Sequence, residues 1–238
     1  MIPLRDANPT RSTPLVTIGL IVACIAVFAF ELTRQWTGGD RALGQLITTW
    51  GIVPAELVDT LGAGRWLSPE IATLVTSQFL HAGWLHIGGN LLFLWIFGNN
   101  VEDRFGRLRF LVFYLAGGVI AGLAQVAIAP DSTIPTIGAS GAIAATLGAY
   151  LVLYPGARVT SLVFLVFFYQ LIDVPAVIVL ALWFLLQLVD GLASLGGAVS
   201  GGGVAFFAHI GGFVFGVAVA ALVRSRSAPR GPSRRPVG

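Results

Sequence analysis

The stretch Thr136–Tyr150 reads TIGASGAIAATLGAY and combines the sequence of a membrane helix with a polar side chain at its start. Its second half has the composition of a membrane-spanning helix. Its first half places a hydroxyl side chain, Ser140, between Gly138 and Gly141. Polar side chains inside a bilayer are costly, and those that persist are usually functional or hydrogen-bonded. The rest of the chain must therefore account for both the helix and the serine.

The composition predicts an all-α polytopic membrane protein. Of 238 residues, 56% are hydrophobic and 11% are charged, and the mean hydropathy is +0.86. A soluble domain would be about 25% charged. Six apolar runs are long enough, or nearly so, to cross about 30 Å of hydrocarbon as helices. They cover residues 14–32, 84–101, 108–129, 138–155, 174–190 and 203–223.

The segments between and beyond these runs define the organisation that we expect. Residues 1–13 form an N-terminal segment, 14–223 the six-helix membrane domain, and 224–238 a disordered tail rich in arginine and proline. Within the domain, the loop 33–83 has three tryptophans and amphipathic pieces, which predicts a partly interfacial loop. The apolar segment 160–172 is either the start of a longer fifth span or an interfacial hairpin, and its shortness favours the hairpin.

The arginines predict the orientation. With the N-terminus inside, eleven arginines lie on the cytoplasmic side and three outside, so the positive-inside rule places both termini in the cytoplasm. Because most arginines lie outside the apolar runs, they indicate topology and contact with lipid headgroups rather than nucleic-acid binding. We expect an integral protein of a bacterial plasma membrane.

Three polar sites, on three different spans, lie at one predicted depth. His86 and Asn90 belong to the second span, Ser140 to the fourth and His209 to the sixth. The two histidines and the serine lie 13 to 15 residues before the inner ends of their spans, which is roughly 20 Å from the inner edge. Taken singly, the serine could bond back to its own helix, and the others could join neighbouring helices. Their common depth favours a shared site.

Small residues repeat every fourth position on the fourth and sixth spans, which predicts close packing of these two helices. The stripes are Ser140, Ala144 and Gly148 on one helix, and Ala208, Gly212, Gly216 and Ala220 on the other. Such packing would bring His209 to Ser140 as a general base for a nucleophile. No carboxylate lies near this depth in the spans, so we expect a Ser–His dyad whose histidine is held by packing.

An oxyanion hole can be built from the same residues. Ser140 begins a helix, where backbone N–H groups lack intrahelical acceptors. Gly138 and Gly141 would let a substrate backbone approach closely. His86 and Asn90, four residues apart on one helical face, would add side-chain donors.

Four motifs make the chain resemble the rhomboid family of intramembrane serine proteases. They are HAGWLHIGGN at 81–90, GNNVEDRFG at 98–106, GASG at 138–141 and AHIGGFVFG at 208–216. The resemblance extends from about residue 70 to 222 and implies a six-helix rhomboid-like bundle. It also implies that Ser140 is the nucleophile and His209 the base, with His86, Asn90 and the Ser140 N–H in the oxyanion hole. Supporting roles fall to His81, Gly141, Gly212 and Gly216.

The resemblance implies an endopeptidase that needs neither cofactor nor metal. Its substrates would be single-pass membrane proteins cut near the outer face of the membrane, and its remaining partners would be lipids. Two positions depart from the family pattern. Ala144 stands where many relatives have an aromatic residue packed on the catalytic histidine, and Ile71–Thr73 stands where some have a Trp/Arg pair.

Three alternatives compete with a protease. A catalytically silent rhomboid-like adaptor is the nearest, although such proteins typically lose the serine or the histidine. A transporter or channel would have polar residues across the full depth, whereas these spans become apolar below the site. A zinc protease would need a pattern such as H-E-x-x-H, and HAGWLH has no glutamate.

Overall fold

The computed structural model describes residues 2–165, 168–195 and 205–227. Within them the chain forms nine α-helices and three β-strands. The helices are α1 (Leu15–Trp50), α2 (Pro54–Gly62), α3 (Pro69–Thr76), α4 (Trp84–Phe93), α5 (Asn99–Phe105), α6 (Arg107–Ile128), α7 (Ser140–Leu153), α8 (Ala176–Leu195) and α9 (Phe206–Ser227). The strands are β1 (Ile2–Asp6), β2 (Arg158–Leu165) and β3 (Phe168–Pro175).

Apolar helices confirm the prediction of an all-α polytopic membrane protein. In the described part of the chain, α1, α6, α8 and α9 are long and apolar enough to cross a membrane. A π-helical turn, Leu94–Gly98, joins α4 to α5 as one continuous helix, and this helix meets α3 at a bend of 80°. The helix α7 has only 14 residues, and ten of them are buried. It is therefore surrounded by protein rather than by lipid.

The first helix is longer than the apolar run that predicts it. The run ends at residue 32, but α1 continues to Trp50. Gly39 interrupts it with φ 67° and ψ −171°, a conformation that favours glycine. The predicted loop 33–83 is therefore largely helical, because it holds the end of α1 together with α2 and α3. A hydrogen bond from Thr76 Oγ1 to the Trp50 carbonyl (2.7 Å) ties α3 to the end of α1.

A small antiparallel sheet lies at the end of α7 opposite Ser140. Its order is β1–β2–β3, with Ile2 opposite Leu162 and Leu162 opposite Leu171. The segment 160–172 thus lies in a hairpin, as its length favoured, and is not part of the fifth span. The strand β1 was not predicted, because five residues near a terminus give little periodic signal. No connecting residue separates β3 from α8.

Two carboxylates, the buried Glu102 and the partly buried Asp6, connect the N-terminal segment to the helices. Glu102, 2% exposed, accepts hydrogen bonds from the N–H groups of Val16 (3.0 Å) and Thr17 (2.7 Å) and from Thr17 Oγ1 (2.8 Å). It therefore satisfies the donors at the start of α1, where no residue of the segment itself provides a side-chain cap. Asp6 accepts from Tyr150 Oη (2.8 Å) and Asn100 Nδ2 (2.6 Å), and burial raises the pKa of its carboxyl group.

Glycine contacts hold α9 against α7, as the stripes of small residues predict. A Cβ at Gly216 would overlap the carbonyl oxygen of Ala145, and a Cβ at Gly212 would overlap that of Gly141. From the other side, a Cβ at Gly148 would overlap the carbonyl of Phe213. The two backbones are in direct contact, which only residues without side chains allow.

The last helix differs slightly from its predicted bounds. It begins at Phe206, and residues 203 and 204 of the predicted span lie outside the described residues. It continues to Ser227, four residues into the segment predicted as a disordered tail. The remainder of that predicted tail, 228–238, lies outside the described residues.

Candidate active site

Ser140 and His209 are joined by a hydrogen bond between α7 and α9. The distance from His209 Nε2 to Ser140 Oγ is 2.6 Å. Ser140 is the first residue of α7, and His209 lies in the first turn of α9. His209 is 8% exposed, so most of its ring is shielded from solvent. The close packing of the glycine stripes brings the two side chains together, although they are 69 residues apart in sequence.

The loop before Ser140 is held by backbone contacts. Gly138 has φ +122°, a conformation that side chains disfavour, and its N–H donates to the Ser77 carbonyl (2.8 Å). Two residues earlier, Thr136 pairs with Ile52 in an isolated antiparallel bridge. These contacts fix the direction in which the chain enters α7. They also leave the backbone N–H of Ser140 without an intrahelical acceptor, as at any helix N-terminus.

His86 lies against Gly138 with a defined tautomer. Its Nδ1 accepts a hydrogen bond from the Ala82 N–H (3.2 Å), so in the neutral ring the proton resides on Nε2. A Cβ at Gly138 would lie 2.7 Å from that Nε2 atom. Glycine at position 138 therefore leaves room for the imidazole of His86. The Nε2–H donor of that ring lies close to the N-terminus of α7.

Asn90 contributes a buried donor that has no hydrogen-bond partner among the described residues. Its Nδ2 atom is buried without a hydrogen bond, and the residue is 7% exposed. It lines a cavity of about 470 Å³ together with His86, Ser140 and His209. An unpaired buried amide costs about 1–3 kcal/mol, so a group that accepts from it is favoured in this cavity.

His81 lies beside this cavity rather than in its lining. Its Nδ1 is bonded to the Phe79 carbonyl (3.1 Å), and its ring meets that of His86 edge-on at 5.2 Å. Its backbone N–H donates to the carboxylate of Glu31 (3.1 and 3.2 Å), which is 1% exposed in α1. These contacts fit the supporting position expected for His81. They also add a buried carboxylate, Glu31, that the sequence analysis overlooked.

The supporting glycines act through packing. Gly212 and Gly216 contact the backbone of α7 directly, and a Cβ at Gly141 would lie 2.5 Å from Ala121 Cβ on α6. They set the spacing of α6, α7 and α9, on which the distance between serine and histidine depends.

The expectation that packing alone holds His209 is wrong. Its Nδ1 atom lies 2.6 Å from Oε1 of Gln187 on α8, so the ring has a polar partner on each side. The prediction of a dyad depended on the lack of a carboxylate at this depth, whereas Gln187 is a neutral amide. The available signal was that Gln187 is the one strongly polar residue in the apolar run Ala176–Val189.

An aromatic side chain does pack on His209, but it comes from α8. The rings of Trp183 and His209 have centroids 5.8 Å apart and planes inclined by 38°. Ala144 on α7 is fully buried under the contact between α7 and α9 and has no aromatic ring to offer. The aromatic contact to the imidazole of His209 is therefore made by the indole of Trp183.

Together these groups form an arrangement suited to acyl transfer. A hydroxyl lies within hydrogen-bond reach of an imidazole, and the cavity beside them is lined by N–H donors. Among residues 2–165, 168–195 and 205–227, no group of three or more metal-ligating side chains comes together.

Comparison with known proteins gives a match over the part of the chain that contains these side chains. A family model described as the Rhomboid domain matches residues 68–226, two thirds of the chain. Relatives include the rhomboid protease GluP of Bacillus subtilis, 44% identical over 33% of this chain and 15% of its own length. The mitochondrial rhomboid protein 1 of Saccharomyces cerevisiae is 32% identical over 61% and 40%, and the rhomboid protease GlpG of Yersinia pestis 30% over 49% and 36%. The chain thus spans less than half the length of each of these relatives.

Proposed function

This chain belongs to the rhomboid family, and on that premise we propose that it is an intramembrane serine endopeptidase that uses a Ser140–His209 dyad. The observation that supports this most directly is the 2.6 Å contact between Ser140 Oγ and His209 Nε2, next to a cavity with an unpaired amide. Its substrates are single-pass membrane proteins, cleaved in or near their transmembrane segments.

The reaction follows from the positions of the side chains. Ser140 Oγ attacks the scissile carbonyl carbon while His209 Nε2 takes the hydroxyl proton. The oxyanion forms within reach of the Ser140 N–H, His86 Nε2–H and Asn90 Nδ2–H. The imidazolium then gives its proton to the leaving amine, and the C–N bond breaks to leave an acyl-serine. A water molecule, deprotonated by the same imidazole, hydrolyses that ester and restores Ser140.

We also propose the orientation and location indicated by the arginines. With both termini in the cytoplasm, α7 begins near the outer face, and so the site lies towards the outer leaflet. A bacterial plasma membrane is the proposed location. The relatives of the chain include both bacterial and mitochondrial proteins.

Covalent labelling tests the proposed function without knowledge of the substrate. The purified protein in detergent would be treated with a fluorophosphonate, followed by intact-mass analysis and peptide mapping. We expect a single adduct on Ser140, because a hydroxyl paired with an imidazole is an activated nucleophile. The His209→Ala variant should not be labelled. Absence of an adduct from wild-type protein of native thermal stability would contradict the proposal and favour the silent adaptor.

Asn90 allows a separate test of the oxyanion hole. Because loss of one oxyanion donor usually slows acyl transfer, Asn90→Ala should lower kcat for a model transmembrane substrate by about 10-fold or more. The KM should change little, since the donor bonds most strongly to the developing oxyanion. The matched control is Asn99→Ala, which removes an amide from the other end of the same continuous helix. Equal kcat values for Asn90→Ala and wild type would exclude Asn90 from the hole.

A further inference from the structure

We propose that Gln187 is a positioning residue that holds His209 in the tautomer and orientation required for catalysis. The inference rests on the proposed function, since it assigns Gln187 a role in that same reaction. It starts from a ring with both nitrogens engaged: Nε2 with Ser140 Oγ and Nδ1 with Gln187 Oε1, each at 2.6 Å.

The two contacts together determine where the ring proton must be. A neutral imidazole carries one N–H and one acceptor nitrogen. To take the proton of Ser140, His209 must present Nε2 without a hydrogen, so the proton must be on Nδ1. The amide oxygen of Gln187 is an acceptor, and it lies at the nitrogen that must donate. The hydrogen bond therefore favours the productive tautomer over the inactive one.

A second contact from α8 fixes the plane of the ring. Trp183 lies four residues before Gln187, so both side chains project from one face of the helix. The indole packs on the imidazole while the amide binds its Nδ1 edge. One helix thus supplies the hydrogen-bond acceptor and the aromatic contact that neither α7 nor α9 supplies in this chain.

An amide suits this position because it is neutral. An ionised carboxylate at this partly buried position would incur a desolvation penalty unless hydrogen-bond donors compensated for it. An amide oxygen can orient the imidazole and stabilise the transient imidazolium through its dipole, at a lower cost of burial. The chain therefore replaces the acid of a conventional triad with a neutral acceptor.

Two substitutions separate the hydrogen bond from the packing. Gln187→Met keeps an unbranched side chain of similar length but removes the acceptor oxygen, whereas Gln187→Glu keeps an acceptor oxygen. The matched control is Leu186→Met, which places the same methionine on the adjacent, half-exposed face of α8. All would be assayed in liposomes against one single-span substrate, and their thermal stabilities would be compared.

We expect Gln187→Met to lower kcat by about 10- to 100-fold with little change in KM, as for a lost hydrogen bond to a group that becomes charged. Gln187→Glu should retain most of the activity, and Leu186→Met should match wild type. Nitrogen-15 spectra of protein with labelled histidine give a readout that does not depend on cleavage. The chain has three histidines, so His209 can be assigned with a His209→Ala sample. Its Nδ1 should be protonated in wild type, with a changed signal in Gln187→Met.

Wild-type kcat in Gln187→Met, or an unprotonated Nδ1 in the resting wild type, would overturn the inference. Equal losses in Gln187→Met and Gln187→Glu, with an unchanged Nδ1 signal, would also overturn it, because they would indicate a packing role. Failure of the proposed function would look different. In that case wild type and Leu186→Met would show no cleavage, and Ser140 would take no label.

Discussion

Replacement of Ser140 by alanine should reduce cleavage of a single-span substrate by about 10⁴-fold or more. The variant retains the cavity and the N–H donors but loses the hydroxyl that is bonded to His209 Nε2. Serine proteases that lose their nucleophile keep only the residual acceleration due to binding and the oxyanion hole. The measurement is single-turnover cleavage in liposomes, followed by gel and mass analysis of the fragments.

The same experiment tests whether the two residues act as one unit. His209→Ala should lose nearly as much rate as Ser140→Ala, and the double variant should be no slower than either single variant. Thr146→Val is a matched control on α7, since it removes a hydroxyl that donates to the Ala142 carbonyl of its own helix (3.0 Å). Substantial cleavage by Ser140→Ala would exclude the proposed nucleophile. Additive losses would show that the two side chains contribute independently.

Gly216→Ala should have the second-largest effect, although the residue touches neither serine nor histidine. A Cβ there would overlap the carbonyl oxygen of Ala145, so α9 must move away from α7. Overpacking of this kind destabilises by about 1–3 kcal/mol. Gly216 lies seven residues after His209, about 10 Å along the same face of α9, so the displacement should reach the imidazole. A misplacement of about 1 Å lowers rates by roughly 100-fold.

The matched control for this prediction is Gly19→Ala. Gly19 is also within a membrane helix, but a Cβ there would meet no atom within 4 Å. Alanine should be neutral or slightly stabilising at such a site. Thermal unfolding in detergent, fluorophosphonate labelling and cleavage rate would be measured for both variants. If Gly216→Ala labels and cleaves as fast as Gly19→Ala, contact between the backbones of α7 and α9 does not set the geometry of the site.

The spans and the serine–histidine pair were predictable because each corresponds to a pattern within a short segment of the sequence. The length of the apolar runs predicts the spans, and the stripe of small residues from Ala208 to Ala220 indicates which helices approach closely. Depth along a helix follows from residue count, so Ser140 and His209 could be placed at one level before their contact was known. These features depend on spacing within single segments.

The contacts from α8 were not predictable in the same way. Gln187 and Trp183 precede His209 by 22 and 26 residues, across a connection that includes residues 196–204 outside the described part of the chain. Whether they face His209 depends on the rotation of α8 about its axis, which tertiary packing determines. A glutamine within an apolar run indicates a polar contact but not its partner.

Two further features, the interruption of α1 at Gly39 and the strand β1, were also not predicted from the sequence. The helix α1 is interrupted at Gly39 and then runs through polar sequence to Trp50, where hydropathy predicts only the end of the apolar run. The strand β1 exists because the hairpin offers it an edge with which to pair. Neither feature is encoded by the residues of its own segment alone.

The direct connection between β3 and α8 couples the position of the hairpin to that of the helix that carries Gln187. Pro175 ends the strand, Ala176 begins the helix, and the Ala176 N–H is tied to the Ala157 carbonyl (2.8 Å). Because no linker residue separates β3 from α8, we expect a displacement of the hairpin to move the start of α8 with it. Gln187 lies 11 residues after Ala176, about 16 Å along the axis of α8. We expect a rotation of α8 about its axis to move the Gln187 amide away from the imidazole while Ser140 stays in place.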